Sequence, residues 1–139
     1  MKIKIIYFAC LIPNAWEPIV LEQLDALKKL NLYSTASNIW MSVISNDNEL
    51  SKLKLILSQN YNKIQLKNVF TENYYEYPGI KTLYQVAEDE DDTLLLYLHS
   101  KGMTSNQHEM RKYLFKNTLE NYKEYINEFK KNKDLDIAG

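Results

Sequence analysis

The stretch Thr93–Gly102, TLLLYLHSKG, is an unbroken apolar run that ends in polar and flexible residues. It follows an acidic segment, Glu88 to Asp92, and reads as a β-strand buried on both faces. Strands of that kind belong to parallel sheets covered by helices. In open α/β sheets ligands bind in the crevice beyond the carboxyl ends of the strands, so His99, Ser100, Lys101 and Gly102 are expected at the mouth of a site. The strand thereby delivers an imidazole, a hydroxyl, an ammonium and a permissive backbone to one place.

On either side of this stretch the pattern alternates. Lys2 to Cys10 is a β-rich run, and Trp16 to Leu30 carries Val20, Leu24 and Leu27 at helical spacing. Ile39 to Ser45 reads as a second strand, ending in Asn46-Asp47-Asn48, after which Glu49 to Gln59 is a short helix with Leu50, Leu53 and Leu57 on one face. Lys63 to Phe70 is a third strand. Pro78 stands where a first helical turn tolerates it, and Ile80, Leu83, Tyr84 and Ala87 are expected to form the inner face of a helix running to about Glu88. Beyond Gly102 helical spacing resumes from about Asn106 to Lys131, with a break near Asn117, and Leu135 to Ala138 begins a further strand. Strands alternating with helices give an α/β fold: a mainly parallel, Rossmann-like sheet of about five strands with helices on both faces. No linker, low-complexity tract or repeat divides residues 1–139, so one domain is expected.

Composition excludes several function classes. A net charge of −1 from 17 basic and 18 acidic residues is unlike the basic footprint of a nucleic-acid binder. Any anion must be held by a local patch, and Arg111, the only arginine, is the side chain best shaped to clamp a phosphate or a carboxylate; an exposed helical ion pair is the alternative. The single cysteine, Cys10, excludes an internal disulfide framework and reads as a buried thiol. Lys2 followed by IKIIYFACLI has the look of a signal peptide, but Tyr7 and the Pro-Asn-Ala-Trp-Glu that follows fit a core strand and turn. No run approaches the ~20 apolar residues of a membrane span, so a cytoplasmic location is expected.

The familiar catalytic motifs are missing. There is no GxGxxG and no GxxxxGK[ST], and three glycines cannot build such phosphate cradles. One cysteine and two histidines, His99 and His108, do not make a structural zinc site. Ser100 lacks a nucleophile elbow, and its neighbour His99 points to the opposite face of the strand. The acidic run lies at the far edge of the sheet and reads as a solvated turn rather than a cation site.

The order of these parts, a first strand with a Pro/Asn loop, then YEYPGIKTLYQVAEDEDDTLLLYLHSKG, a helix carrying Arg111, and finally LDIAG, resembles the nucleotide-sugar half of GT-A-type glycosyltransferases. It is most similar to the viral capsid-glycosylating and rhamnan-synthesis enzymes, with Glu76-Tyr77-Pro78 and Tyr97 to Gly102 the most specific segments. The resemblance implies a nucleoside diphosphate sugar as donor, a UDP-sugar above others, and a glycan or glycoprotein as acceptor. It places the donor diphosphate at His99, Ser100, Lys101, Gly102 and Arg111. The nucleoside would lie against Phe8, Ala9, Cys10 and Leu11 through their backbone groups, and against Asn46, Asp47, Glu76 and Tyr77. Where GT-A enzymes commonly hold a divalent metal with Asp-x-Asp, this chain has His99-Ser100-Lys101, so cationic side chains replace the metal's charge and a Mn or Mg requirement is left open. The family's base and acceptor machinery follows the strand that starts at Leu135. The 139 residues are therefore expected to be the N-terminal, donor-binding part of a larger domain, with an exposed edge at Leu135 to Ala138 and a Tyr122/Ile126/Phe129 face available for self-association.

Two functions follow. One is a glycosyltransferase or its donor-binding portion. The other is a non-catalytic α/β module that binds a nucleotide or a protein. A flavodoxin-like or receiver-like domain is a weaker third reading, because the first strand does not end in an Asp cluster or a Ser/Thr/Gly loop.

Overall fold

The computed structural model describes residues 1–12, 15–87, 92–100, 109, 112–113 and 116–134. Its framework is a four-stranded parallel sheet of β1 (Lys2–Cys10), β2 (Asn38–Ile44), β3 (Ile64–Phe70) and β4 (Thr93–His99), in the order β3-β2-β1-β4. The fold is thus the expected α/β sheet, with four strands among the described residues; the strand expected at Leu135 to Ala138 lies outside them.

Residues Ile3 to Ala9 of β1 are all buried, because strands flank it on both sides and helices cover both faces. The strand buried on both faces is therefore β1, whereas β4 alternates: Leu94, Leu96 and Leu98 are buried, while Thr93, Leu95, Tyr97 and His99 are half-buried. Among the described residues β4 pairs with β1 alone, so one of its edges has no strand beside it, whereas both edges of β1 are paired.

One face of the sheet packs against α1 (Trp16–Lys29) and α3 (Asp47–Asn60), whose buried Val20, Leu24, Leu27, Leu53 and Leu57 join Ile3, Ile5, Tyr7 and Ala9 in the core. A short helix, α2 (Leu32–Thr35), connects α1 to β2 after Asn31 takes a left-handed backbone at φ 61°. Periodicity gives no warning of an element this short. The π-helical turn Lys116–Glu120 and α5 (Tyr122–Lys131) close the same side, with Leu119 and Tyr122 buried and Ile126 and Phe129 packed on the core. The Tyr122/Ile126/Phe129 face expected to mediate self-association is thus occupied by the chain's own core. The π turn also accounts for the break expected near Asn117.

The opposite face is covered by α4 (Tyr77–Ala87), the crossover from β3 over β2 and β1 to β4. That crossover runs against the direction of β1-β2-β3, and a right-handed connection then requires the other face of the sheet. α4 does not lie on its apolar stripe. Ile80 and Tyr84 are 45% and 71% exposed, and Ala87 is exposed too; the buried residues are Pro78, Gly79 and Thr82, with Leu83 half-buried. Two features explain the rotation. A Cβ on Gly79 would stand 2.7 Å from both Phe8 Cβ and Tyr97 Oη, so the helix is drawn close by the absence of a side chain. Thr82 then meets Ser42 and Asn68 of the sheet and donates to the Pro78 carbonyl, which satisfies it in the interior.

Candidate functional site

The strand order reverses direction between β1 and β4: the chain proceeds outward from β1 through β2 to β3, then returns to the other side of β1. At such a switch point the loops leave in opposite directions and open a crevice at the carboxyl edge of the sheet. Ser100 extends the ladder there, its N–H donating to the Phe8 carbonyl at 2.9 Å. Its hydroxyl accepts from the Cys10 N–H at 3.2 Å and keeps its own hydrogen to donate. The β1 and β4 ends are therefore stitched together by one serine.

His99 shares the sheet face of Phe8, its register partner, and so turns toward the start of α4. Its Nδ1 lies 3.6 Å from Glu76 Oε1. The other Glu76 oxygen accepts a hydrogen bond from the Tyr97 phenol at 3.2 Å, and the Tyr97 ring stacks on the imidazole at 6.4 Å with an interplanar angle of 16°. Burial, followed by the nearby Glu76 carboxylate, pushes the Tyr97 phenol above its ordinary value, so it remains a donor. Behind the strand, Gln23 Nε2 donates to the His99 carbonyl at 3.4 Å, and the Gln23 carbonyl accepts from the Tyr7 phenol. The imidazole thus has a carboxylate at one ring nitrogen, an aromatic ring alongside, and a backbone held from the opposite face of the sheet.

The remaining sequence candidates are distributed as follows. Phe8, Ala9 and Leu11 are buried. The Leu11 N–H donates to the Ile44 carbonyl and the Cys10 thiol to the Ile12 carbonyl, so the N–H groups of Cys10 and Leu11 already have partners. Asn46 and Asp47 stand at the carboxyl end of β2, on the far side of β1 from β4; Asn46 caps α3 by accepting from the Glu49 N–H at 2.9 Å, and Asp47 is exposed. Tyr77 opens α4 and is 52% exposed. The first-turn amides of α4 are consumed internally: Tyr77 donates to Tyr74, Gly79 and Ile80 both donate to the Glu76 carbonyl, and Pro78 has no N–H. This helix terminus therefore supplies no free donor to an anion. Lys101, Gly102 and Arg111 lie outside the described residues, as do Glu88 to Asp91 of the acidic run.

Two members of the site escaped the sequence reading. Gln23 sits within the inward stripe of α1 between Val20 and Leu24, and a polar residue there is a signal for a buried hydrogen bond. Tyr97 precedes His99 by two residues, which places both on one face of a strand. At the neighbouring edge Trp16 Nε1 donates to Glu49 Oε2 at 2.6 Å, tying α1 to α3. That hydrogen bond, aided by Lys52, holds the Glu49 carboxyl below the usual carboxylate range. Among the described residues no three His, Cys, Asp or Glu side chains converge as a metal site, and no helix is long and apolar enough to cross a membrane. No family model, curated protein or solved structure matches the chain.

Proposed function

We propose that the chain binds a nucleoside diphosphate sugar in the crevice between β1 and β4 and acts as the donor-binding portion of a glycosyltransferase, with a glycan or glycoprotein as acceptor. The observation that carries this reading is the coincidence of the topological switch point with the His99-Ser100 segment. His99 and Ser100 offer an imidazole and a hydroxyl to the diphosphate, and Lys101 and Arg111 add positive charge nearby in sequence. The resemblance of YEYPGIKTLYQVAEDEDDTLLLYLHSKG to GT-A enzymes supports the sugar nucleotide over other phosphorylated ligands. A thermal-shift panel of UDP-, GDP- and TDP-sugars, with and without manganese, tests it: selective stabilisation by one of them is expected, and no response to any of them refutes it.

The second reading is a non-catalytic binding module. Its specific support is the set of exposed rings at Tyr74, Tyr75, Tyr77 and Tyr84, beside exposed Ile80, a composition common at interaction surfaces. Silence toward every nucleotide in the same panel would leave this reading ahead.

A further inference from the structure

The contact between Glu76 and His99 deepens the proposed donor site and rests on that reading. A neutral imidazole carries one proton, and the nitrogen nearest a carboxylate is the one that holds it. Here the Glu76 carboxylate lies 3.6 Å from Nδ1, an ion-pair distance that favours a proton on that nitrogen. The other nitrogen, Nε2, is then a bare lone pair, and a lone pair repels a phosphate oxygen. An anion can settle against Nε2 only if that nitrogen gains a proton as well. The charge needed to hold the ring in its doubly protonated form is already in place, because Glu76 stays beside Nδ1.

We propose that Glu76 is a positioning residue that makes His99 take up a proton as the diphosphate of a nucleotide sugar binds, so that the imidazolium Nε2–H becomes the donor to a phosphate oxygen. The step balances simply: one proton leaves solvent buffer and bonds to Nε2, no other bond changes, and the complex carries one positive charge more than its separated parts. The sugar nucleotide cannot be the group that is protonated, since a diphosphate diester has no group that titrates near neutrality. Among the described residues the other groups packed about the ring do not titrate there. Tyr97 of β4 is a phenol held protonated, Phe8 of β1 carries no charge, and Gln23 of α1 is a neutral amide at the His99 carbonyl. Glu76 is the one described carboxylate at the ring. Tyr97 has a separate task, since its phenol holds the second Glu76 oxygen and its ring limits rotation of the imidazole.

Calorimetric titration of the full chain with UDP-glucose, GDP-mannose and TDP-glucose at pH 7.5, in HEPES and again in Tris, measures the protons exchanged on binding. For the sugar nucleotide that binds, uptake of part of one proton is expected, with affinity rising from pH 8 to pH 6 by at most about tenfold per unit, the limit for a single linked proton. His99→Gln, with an unchanged melting temperature, should bind about tenfold more weakly and take up none. Glu76→Gln should move the pH profile to lower pH, because a neutral neighbour no longer favours the imidazolium. A residue that merely supports the fold would move the melting temperature and leave the profile in place. Binding that is identical in the two buffers and flat with pH overturns the proposal and leaves donor binding standing. Equal uptake by wild type and His99→Gln also overturns it. Failure of every sugar nucleotide to bind removes the donor site itself, and this proposal with it.

Discussion

Gly79→Ala is the most exposing perturbation of this fold, because the added methyl has nowhere to go. The new Cβ would lie 2.7 Å from Phe8 Cβ and 2.7 Å from Tyr97 Oη. The phenol is the far end of a side chain and is free to rotate away. Phe8 Cβ is fixed to the central strand, so relief must come from α4 lifting off the sheet. Overpacking of this kind costs about 1–3 kcal/mol. Alanine's better helix propensity offsets up to ~1 kcal/mol in a helix interior, and less in the first turn where residue 79 sits. The net loss is about 1–2 kcal/mol, or a melting temperature lower by about 3–8 °C for a chain of this size. The displaced phenol also gives up Glu76, so nucleotide-sugar affinity should fall with stability. Thermal and urea unfolding of the two proteins, followed by calorimetry, measure both effects. A Gly79→Ala protein as stable as wild type, or more so, would refute the close seating of α4 on Phe8 and Tyr97.

Thr82→Val keeps the shape but leaves Ser42 and Asn68 without their shared partner, and urea unfolding should register a loss of about 1–3 kcal/mol. Lys101→Ala should weaken nucleotide-sugar binding about tenfold to a hundredfold while leaving the melting temperature unchanged, the loss of one charge-assisted hydrogen bond; calorimetry that finds equal affinity would remove Lys101 from the site. Glu49 is held below the ordinary carboxylate range, so its bond to Trp16 stabilises the fold above that range and is lost as pH falls through the lowered value. Trp16→Phe should accordingly return the Glu49 titration upward toward the ordinary range, as followed by carboxyl NMR, and an unmoved titration would assign the shift to Lys52 instead.

The strands were legible because their physics is local. The strands at Lys2 to Cys10 and Thr93 to His99 and the inward Val20, Leu24 and Leu27 of α1 follow from apolar pattern, whereas the strand buried on both faces is β1, with Lys4 inside its buried run, and not the β4 that the pattern suggests. α4 was misread for a definable reason. A periodicity rule turns Ile80 and Tyr84 inward, but contact with a sheet can also be made by a glycine that permits close approach and a threonine whose hydroxyl is satisfied. Neither residue scores as apolar. The same limit hid the partner of His99, since its place at the carboxyl end of β4 is a local property, whereas Glu76 arrives from the segment before α4 and meets it only once the crossover is complete. The engagement of the Cys10 and Leu11 amides by Ser100 and Ile44 was equally out of reach, for it depends on three strand ends meeting.

The position of β1 has a consequence for how the chain acquires its structure. Among the four described strands β1 is made before the others and lies inside the sheet, yet its partner on one side is β4, whose pairing begins at Lys2 with Thr93. Until Thr93 to His99 have been made, one edge of the most deeply buried strand has no neighbour, and closing so long a loop is slow because its entropy is lost before the contact is gained. The interval is the period in which a nascent molecule is open to pairing with another copy. Slower emergence of residues 70–92 would lengthen that exposure, and a chaperone that shields the free edge of β1 would act during it; the yield of native protein should therefore depend on translation speed through this segment more than through any other.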